Sequence, residues 1–237
     1  MPTTGSGSGS GPVTASGLLL ALLLALASGV VPTLESSPPP QAGVEITASP
    51  NPGASASPTV EVDVLLSGLT VAPEGPRTGY TRDRFKLWVD ADHDGCDTRQ
   101  EVLIEESLVP ATSEETRCFV IAGEWLSHYD NTTFLAPGGL DIDHMVPLAE
   151  AWESGASGWD DARRQDYAND LTHPEALLAV SASTNRSKGD RDPAEWKPPN
   201  TGFWCQYATD WVIVKSAWGL SADGAEESAL RDMLATC

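Results

Sequence analysis

Four cysteines constrain this chain more than any other feature. Cys96, Cys118, Cys205 and Cys237 form an even set with no C-x-x-C pair among them, so the close spacing of zinc ribbons is missing and two disulfides are the expected use. Three pairings are possible. Cys96 with Cys118 and Cys205 with Cys237 is favoured, because each closes a moderate loop and the second ties the extreme C-terminus to the body of the protein. Disulfides belong to an oxidising compartment, and the N-terminus agrees. The apolar run from Leu18 to Ala27 has the length of a signal-peptide core and is short for a bilayer span of ~20 residues. The segment before it carries no positive side chain, which departs from the usual signal pattern and keeps an uncleaved anchor as the alternative. The expectation is a secreted or cell-surface protein with no stable membrane association after signal cleavage.

Residues 1–76 contain no Lys or Arg, and all 14 basic side chains fall between Arg77 and Arg231. From Glu35 to Pro58 the chain is rich in Pro, Ser, Ala and Gly, a composition that cannot bury enough apolar surface to fold. This divides the sequence into a signal peptide or anchor over 1–34, a disordered linker over 35–59 and one folded domain over 60–237. The net charge of −20 weighs against binding a polyanion, because phosphate neutralisation supplies most non-specific affinity for nucleic acid. Two features offset it. A bound divalent ion would invert the local field, and the basic residues are bunched: Arg82, Arg84, Lys86 and Arg99 in one group, Arg163, Arg164, Arg186, Lys188, Arg191 and Lys197 in another.

Periodicity gives a mixed α+β reading. Helical spacing is expected over Arg82–Val89, Thr98–Leu108, Arg163–Leu171 and Pro174–Ala182, with an amphipathic closing helix over Ala222–Leu234. Val60–Leu69 reads as a short helix or strand, Cys118–Ala122 as a strand and Asn131–Gly139 as a hairpin loop. Leu140–Pro147 reads as a short strand halted by proline, Leu148–Trp152 as the start of a helix, and Asn185–Asp190 as a polar turn. Six of the eight tryptophans lie between Trp152 and Trp218 and are read as core.

Chemistry concentrates in Asp141-Ile142-Asp143-His144-Met145-Val146-Pro147-Leu148. This DIDHMVPL segment resembles the first half of an HNH, or ββα-metal, nuclease motif, where an Asp-His pair at a strand end precedes an apolar residue and a proline. Ser181–Asp190 (SASTNRSKGD) resembles the second half, through Asn185 and Lys188. Together with GCDTRQEVL and NRSKGDRDPAEW, the stretch from about Tyr80 to Cys237 is similar to the domain at the C-terminus of GmrSD-type restriction enzymes, and more closely to secreted proteins that carry that domain alone. The resemblance implies a ββα-metal core surrounded by helices and an endonuclease activity with little sequence preference, on DNA rather than RNA. Products would carry 5′-phosphate and 3′-hydroxyl ends.

The residue types suit that chemistry. Phosphodiester hydrolysis needs a deprotonated water, and neutral imidazole takes such a proton near pH 7; His144 is the candidate base. A hard divalent cation, Mg2+ or Mn2+, wants oxygen donors, and Asp143 and Asn185 supply them, with Asp141 as an extra ligand or orienting group. Lys188 and Arg186 are candidates to meet the scissile phosphate, and Arg99 is a further catalytic candidate from the TRQEVL segment. Where HNH motifs place a second His or Asn after the metal-binding Asn, this sequence has Lys188 and Gly189, which thins the ligand set. Adjacent residues of a regular strand point to opposite faces, so the strand must end or bend at Asp143 and His144. His93, His128 and His173 lack such company and are read as surface or packing residues.

A second pattern, Asp90-x-Asp92-x-Asp94-Gly95 followed by Glu101, satisfies an EF-hand calcium loop. Cys96 at its seventh position and Asp97 at its eighth are unusual. The alternatives are an acidic turn without metal, or Arg99 and Glu101 projecting into a nuclease site. Two competing functions follow from these features: a catalytically inactive, calcium-stabilised binding module on an HNH scaffold, and a metal-dependent phosphoesterase acting on small molecules.

Overall fold

The computed structural model describes residues 58–237; the signal-like run and most of the linker lie outside the described residues. The first helix, α1 (Pro58–Gly68), is followed by a long irregular connection with one 3-10 turn at Arg82–Arg84, then by α2 (Thr98–Glu105). The strand-rich middle comprises β1 (Thr112–Ser113), β2 (Val120–Ala122), β3 (Trp125–Ser127), β4 (Thr132–Phe134) and β5 (Leu140–His144). Helices α3 (Leu148–Glu153) and α4 (Asp161–Ala168) precede β6 (Leu177–Ser181) and α5 (Ala182–Lys188). The chain closes with α6 (Trp204–Trp218) and α7 (Gly224–Leu234). The fold is α+β. Its strands form three antiparallel pairs: β1 with β2, β3 with β4, and β5 with β6.

Both disulfides join the favoured partners. Cys96 pairs with Cys118 and Cys205 with Cys237, at Cα separations of 4.9 and 5.1 Å. The second fixes the end of α7 to the start of α6. Lys215 of α6 is fully buried and reaches Glu150 of α3 at 2.7 Å and Glu226 of α7 at 2.6 Å. A buried ammonium needs such partners. Glu226 also belongs to a capping box with Asp223 that starts α7, so one side chain serves both the helix terminus and the core. Trp125, Tyr129, Tyr207 and Trp211 are all but inaccessible in the core, Trp196 packs on Tyr129 and Tyr207, and Trp152 is buried against Tyr80 and Phe85. The tryptophan-rich stretch is therefore largely core.

Four local expectations are corrected. Pro174–Ala182 is not a helix: Leu177–Ser181 is a strand whose five residues are all buried, and a strand covered on both faces loses the alternation that would reveal it. Arg82–Val89 forms only the short 3-10 turn. Asn169 takes the backbone groups a helix would use internally, its Nδ2 donating to Lys86 O (2.7 Å) and its Oδ1 accepting from Val89 N (3.1 Å). Asn185 sits inside α5 rather than in a turn, which instead follows at Gly189 with φ +61°. Part of the expected hairpin loop, Thr132–Phe134, is itself the strand β4.

Candidate active site

The site forms where β5 runs out. β5 and β6 are in register from Leu140 with Ser181 to His144 with Leu177, and α5 follows β6 directly and packs against both strands. Asp143 and His144, the last residues of β5, share a pocket of about 190 Å³ with Asn185 and Arg186 of α5, Arg82 of the 3-10 turn, and Pro147, Gly189 and Asp190. A larger groove of 530 Å³ lies elsewhere, between α2 and residues 170–177. It is mostly apolar and brings together none of the Asp, His and Asn residues of the motif.

His144 is 5% exposed. Its ring is stacked between Trp88, at 6.1 Å and 29°, and Tyr167, at 6.3 Å and 24° between centroids and planes. Nε2 lies 3.0 Å from Ala168 O. A carbonyl only accepts, so Nε2 carries the proton and Nδ1 is the basic nitrogen of the neutral ring. Burial holds the imidazole down to about 4, against the Ala168 hydrogen bond and with help from the Arg82 and Lys188 charges. At neutral pH the ring is uncharged.

Asp143 is equally buried. Its Oδ2 accepts from Tyr129 Oη (2.5 Å) and from Lys188 Nζ (2.5 Å). Burial pushes the Asp143 carboxyl up while the Lys188 charge opposes that shift. Burial pushes the Lys188 ammonium down, opposed in turn by Asp143. Oδ1 of Asp143 makes no hydrogen bond among the described residues and is the oxygen the carboxylate has to offer. Asn185 donates from Nδ2 to Asp141 Oδ2 (3.4 Å), which leaves its amide oxygen for a ligand. Asp141 does not line the pocket; it holds Asn185 and, at 3.4 Å, the Nε of Arg186.

Two candidates fall elsewhere. Lys188 does not reach the pocket: its side chain has no exposure, and Nζ also donates to His144 O (2.9 Å) and Met145 O (2.8 Å). The physical reason is the burial of Asp143, which leaves a carboxylate in need of a counter-charge. Arg99 is directed to Leu140 O at 3.2 Å and lines a different groove with Phe119 and Ile121. Asn169, which its place in the sequence offers as a candidate to hold the loop bearing His144, bonds Lys86 O and Val89 N instead; spacing gave no sign of Tyr129, Trp88 or Tyr167, which are remote in sequence and meet the motif only through packing.

The acidic loop is built like a cation-binding turn. Asp90, Asp92 and Asp94 each offer an oxygen within 4.8 Å of the others; Glu101 is not in that group. His93 at φ +64° and Gly95 at φ +94° take left-handed conformations, and Asp90 Oδ2 accepts from Gly95 N at 3.1 Å. The exiting helix, α2, is present and the expected incoming helix is absent. Of the remaining histidines, His128 stacks on Phe203 at 5.1 Å and His173 pairs with Asp170 at 2.7 Å.

Among the described residues no helix is long and apolar enough to cross a membrane. No solved structure matches this chain. A protein of Arthroderma benhamiae described as an uncharacterized secreted protein is 46% identical over 173 residues, covering 73% of this chain and 83% of that protein. The family model for GmrSD restriction endonucleases, C-terminal domain, matches residues 97–233, which takes in β5, β6, α5 and both halves of the motif. This chain belongs to the family of GmrSD restriction endonuclease C-terminal domains.

Proposed function

We propose that this protein is a secreted, metal-dependent endonuclease that hydrolyses phosphodiester bonds of nucleic acid, DNA rather than RNA, with little sequence preference. The observation that carries the reading is the state of His144. Its ring is neutral, stacked on Trp88 and Tyr167 and bonded through Nε2 to a backbone carbonyl, which leaves Nδ1 as the proton acceptor of a ring that lines one pocket with Asp143 and Asn185. The antiparallel pairing of β5 with β6, with α5 following β6 directly, supports a ββα-metal core with α3 and α4 inserted between its strands, and the family name supports the substrate class.

The donors in the pocket fit a hard cation. One carboxylate oxygen of Asp143 and the amide oxygen of Asn185 are the oxygen ligands that Mg2+ or Mn2+ takes while keeping several waters. When bound, such an ion polarises a phosphoryl oxygen and neutralises charge on the leaving 3′-oxygen. His144 Nδ1 takes the proton of the attacking water, and the Nε2–H bond to Ala168 O steadies the imidazolium as it forms. Tyr129 and Lys188 keep the second Asp143 oxygen occupied, so the carboxylate presents a single orientation. Arg186 adds positive charge to the pocket for the phosphate.

The same reading extends to the whole chain. Residues 1–34 act as an export signal and 35–59 as a spacer before the folded domain. The apolar N-terminal run, the two disulfides and the secreted relative support export. The Asp90–Asp94 loop takes a structural calcium ion, which its carboxylate cluster and left-handed turn support.

End-group analysis tests the reading. A labelled duplex incubated with the disulfide-intact protein and Mg2+ should give 5′-phosphate and 3′-hydroxyl ends, and EDTA should stop the reaction. Cleavage insensitive to chelator, or 3′-phosphate ends, would reject the mechanism.

A further inference from the structure

The 190 Å³ pocket contains a cation from outside the motif. Arg82 lines it alongside His144, Asp143 and Asn185, yet Arg82 precedes residues 97–233, the stretch matched by the family model. Arg82, Arg84 and Lys86 are all exposed, and none has a carboxylate ion-pair partner among the described residues. In a chain of net charge −20, three exposed cations within five residues, none of them in an ion pair among the described residues, are a distinctive local arrangement. Arg186, the other arginine of the pocket, is by contrast held at 3.4 Å by Asp141. Arg84 and Lys86 line a separate groove with Asp83, Asp161, Ala162 and Gln165.

The segment is placed by side chains that serve the site. Asn169 bonds Lys86 O and Val89 N, and it follows Ala168, whose carbonyl holds His144 Nε2. Trp88, two residues past Lys86, stacks on the His144 ring. The basic segment and the candidate base therefore share one support.

We propose that Arg82 contacts the scissile phosphate and that Arg84 and Lys86 contact flanking phosphates, making the site one for a polynucleotide strand rather than a small phosphoester. This rests on the nuclease reading and adds a binding element that the family match does not contain. Guanidinium groups recognise phosphate oxygens through paired N–H donors, and a row of cations reads successive backbone phosphates without regard to sequence.

Binding and turnover separate the roles. In the non-cleaving His144→Ala background, affinity for a short DNA strand is measured against salt. Arg82→Ala should reduce the slope of log K against log salt by about 0.7–0.9, and the Arg82→Ala/Arg84→Ala/Lys86→Ala combination by about two to three. Arg117→Ala, whose side chain pairs with Glu114 far along the chain, is the control and should leave the slope unchanged. With His144 intact, Arg82→Ala should lower cleavage of both DNA and bis(p-nitrophenyl) phosphate by roughly 100-fold, with partial recovery in Arg82→Lys. Arg84→Ala/Lys86→Ala should weaken DNA cleavage and spare the small diester. Unchanged slopes and rates in an Arg82→Ala protein whose parent cleaves DNA would overturn the proposal and leave the nuclease reading standing. A folded wild type that neither binds nor cleaves DNA would overturn both.

Discussion

Lys188 Nζ lies 2.5 Å from Asp143 Oδ2, with the lysine side chain wholly removed from solvent. The contact joins the last turn of α5 to the last residues of β5, and the carbonyls of His144 and Met145 complete the ammonium's partners. Tyr129, Tyr207 and Trp211 present ring faces to it at 5.6, 5.8 and 5.6 Å. The group that the sequence offers as a phosphate contact instead fixes the carboxylate and the strand end of the candidate site.

Removing one member of this pair should be costly. Lys188→Met leaves an uncompensated buried carboxylate, and unfolding free energy should fall by about 3–5 kcal/mol. The Lys188→Met/Asp143→Asn double variant should recover part of that loss, because the remaining amide needs no counter-ion. Urea titration of the two variants and wild type measures it. Equal losses in single and double variants would show that the charge pair is not the source.

Asn169 is a positioning residue. Its side chain makes four hydrogen bonds, to Lys86 O, Gln165 O, Val89 N and Thr98 Oγ1, and so ties the segment of Trp88 to the residue that follows the Ala168 carbonyl. Asn169→Ala should lower kcat by up to about 100-fold with little change in KM, since misplacement of a base by about an ångström has that effect. A loss confined to KM would place Asn169 in substrate binding instead.

Much of this was legible in the sequence, for identifiable reasons. Cysteine spacing anticipated both disulfides, and the DIDH run announced a strand end that brings a carboxylate and an imidazole together. The pairing of β5 with β6 was hidden, because a strand buried on both faces carries no alternation. Arg82–Val89 shows helical spacing, yet tertiary hydrogen bonds from Asn169 override it. Lys188 reads in the sequence as a candidate phosphate contact, because spacing alone does not reveal that Asp143 is buried and needs a cation.

Stability should fall as pH rises. Burial pushes the Glu106 and Asp210 carboxyls up to about 7 from ordinary values of 4.5 and 3.8. A carboxyl whose folded value exceeds its unfolded one contributes stability that is fully present below the unfolded value and is lost as pH rises through the folded one. The melting temperature should therefore be higher at pH 5 than at pH 8. Glu106→Gln keeps an acceptor for Ala179 N and should reduce the drop, by at most about 3 kcal/mol. A melting temperature that rises over this interval, or an unchanged profile in the variant, would contradict the assignment.

Calcium should stabilise the fold through the Asp90–Asp94 loop. At a hundredfold excess over Kd, binding to the folded state alone adds about 2.7 kcal/mol. Asp92→Asn/Asp94→Asn should abolish the calcium-dependent rise in melting temperature while leaving the calcium-free value nearly unchanged. A rise of the same size in the variant would place the ion elsewhere.

The central claim is that His144 is the base of a metal-dependent nuclease, and plasmid nicking tests it most directly. Supercoiled DNA is incubated with the disulfide-intact wild type and with His144→Ala, each with Mg2+ and with EDTA. The prediction is nicking by wild type that requires the metal and is lost in the variant. Equal nicking by folded His144→Ala, or none by folded, metal-supplied wild type, would contradict it.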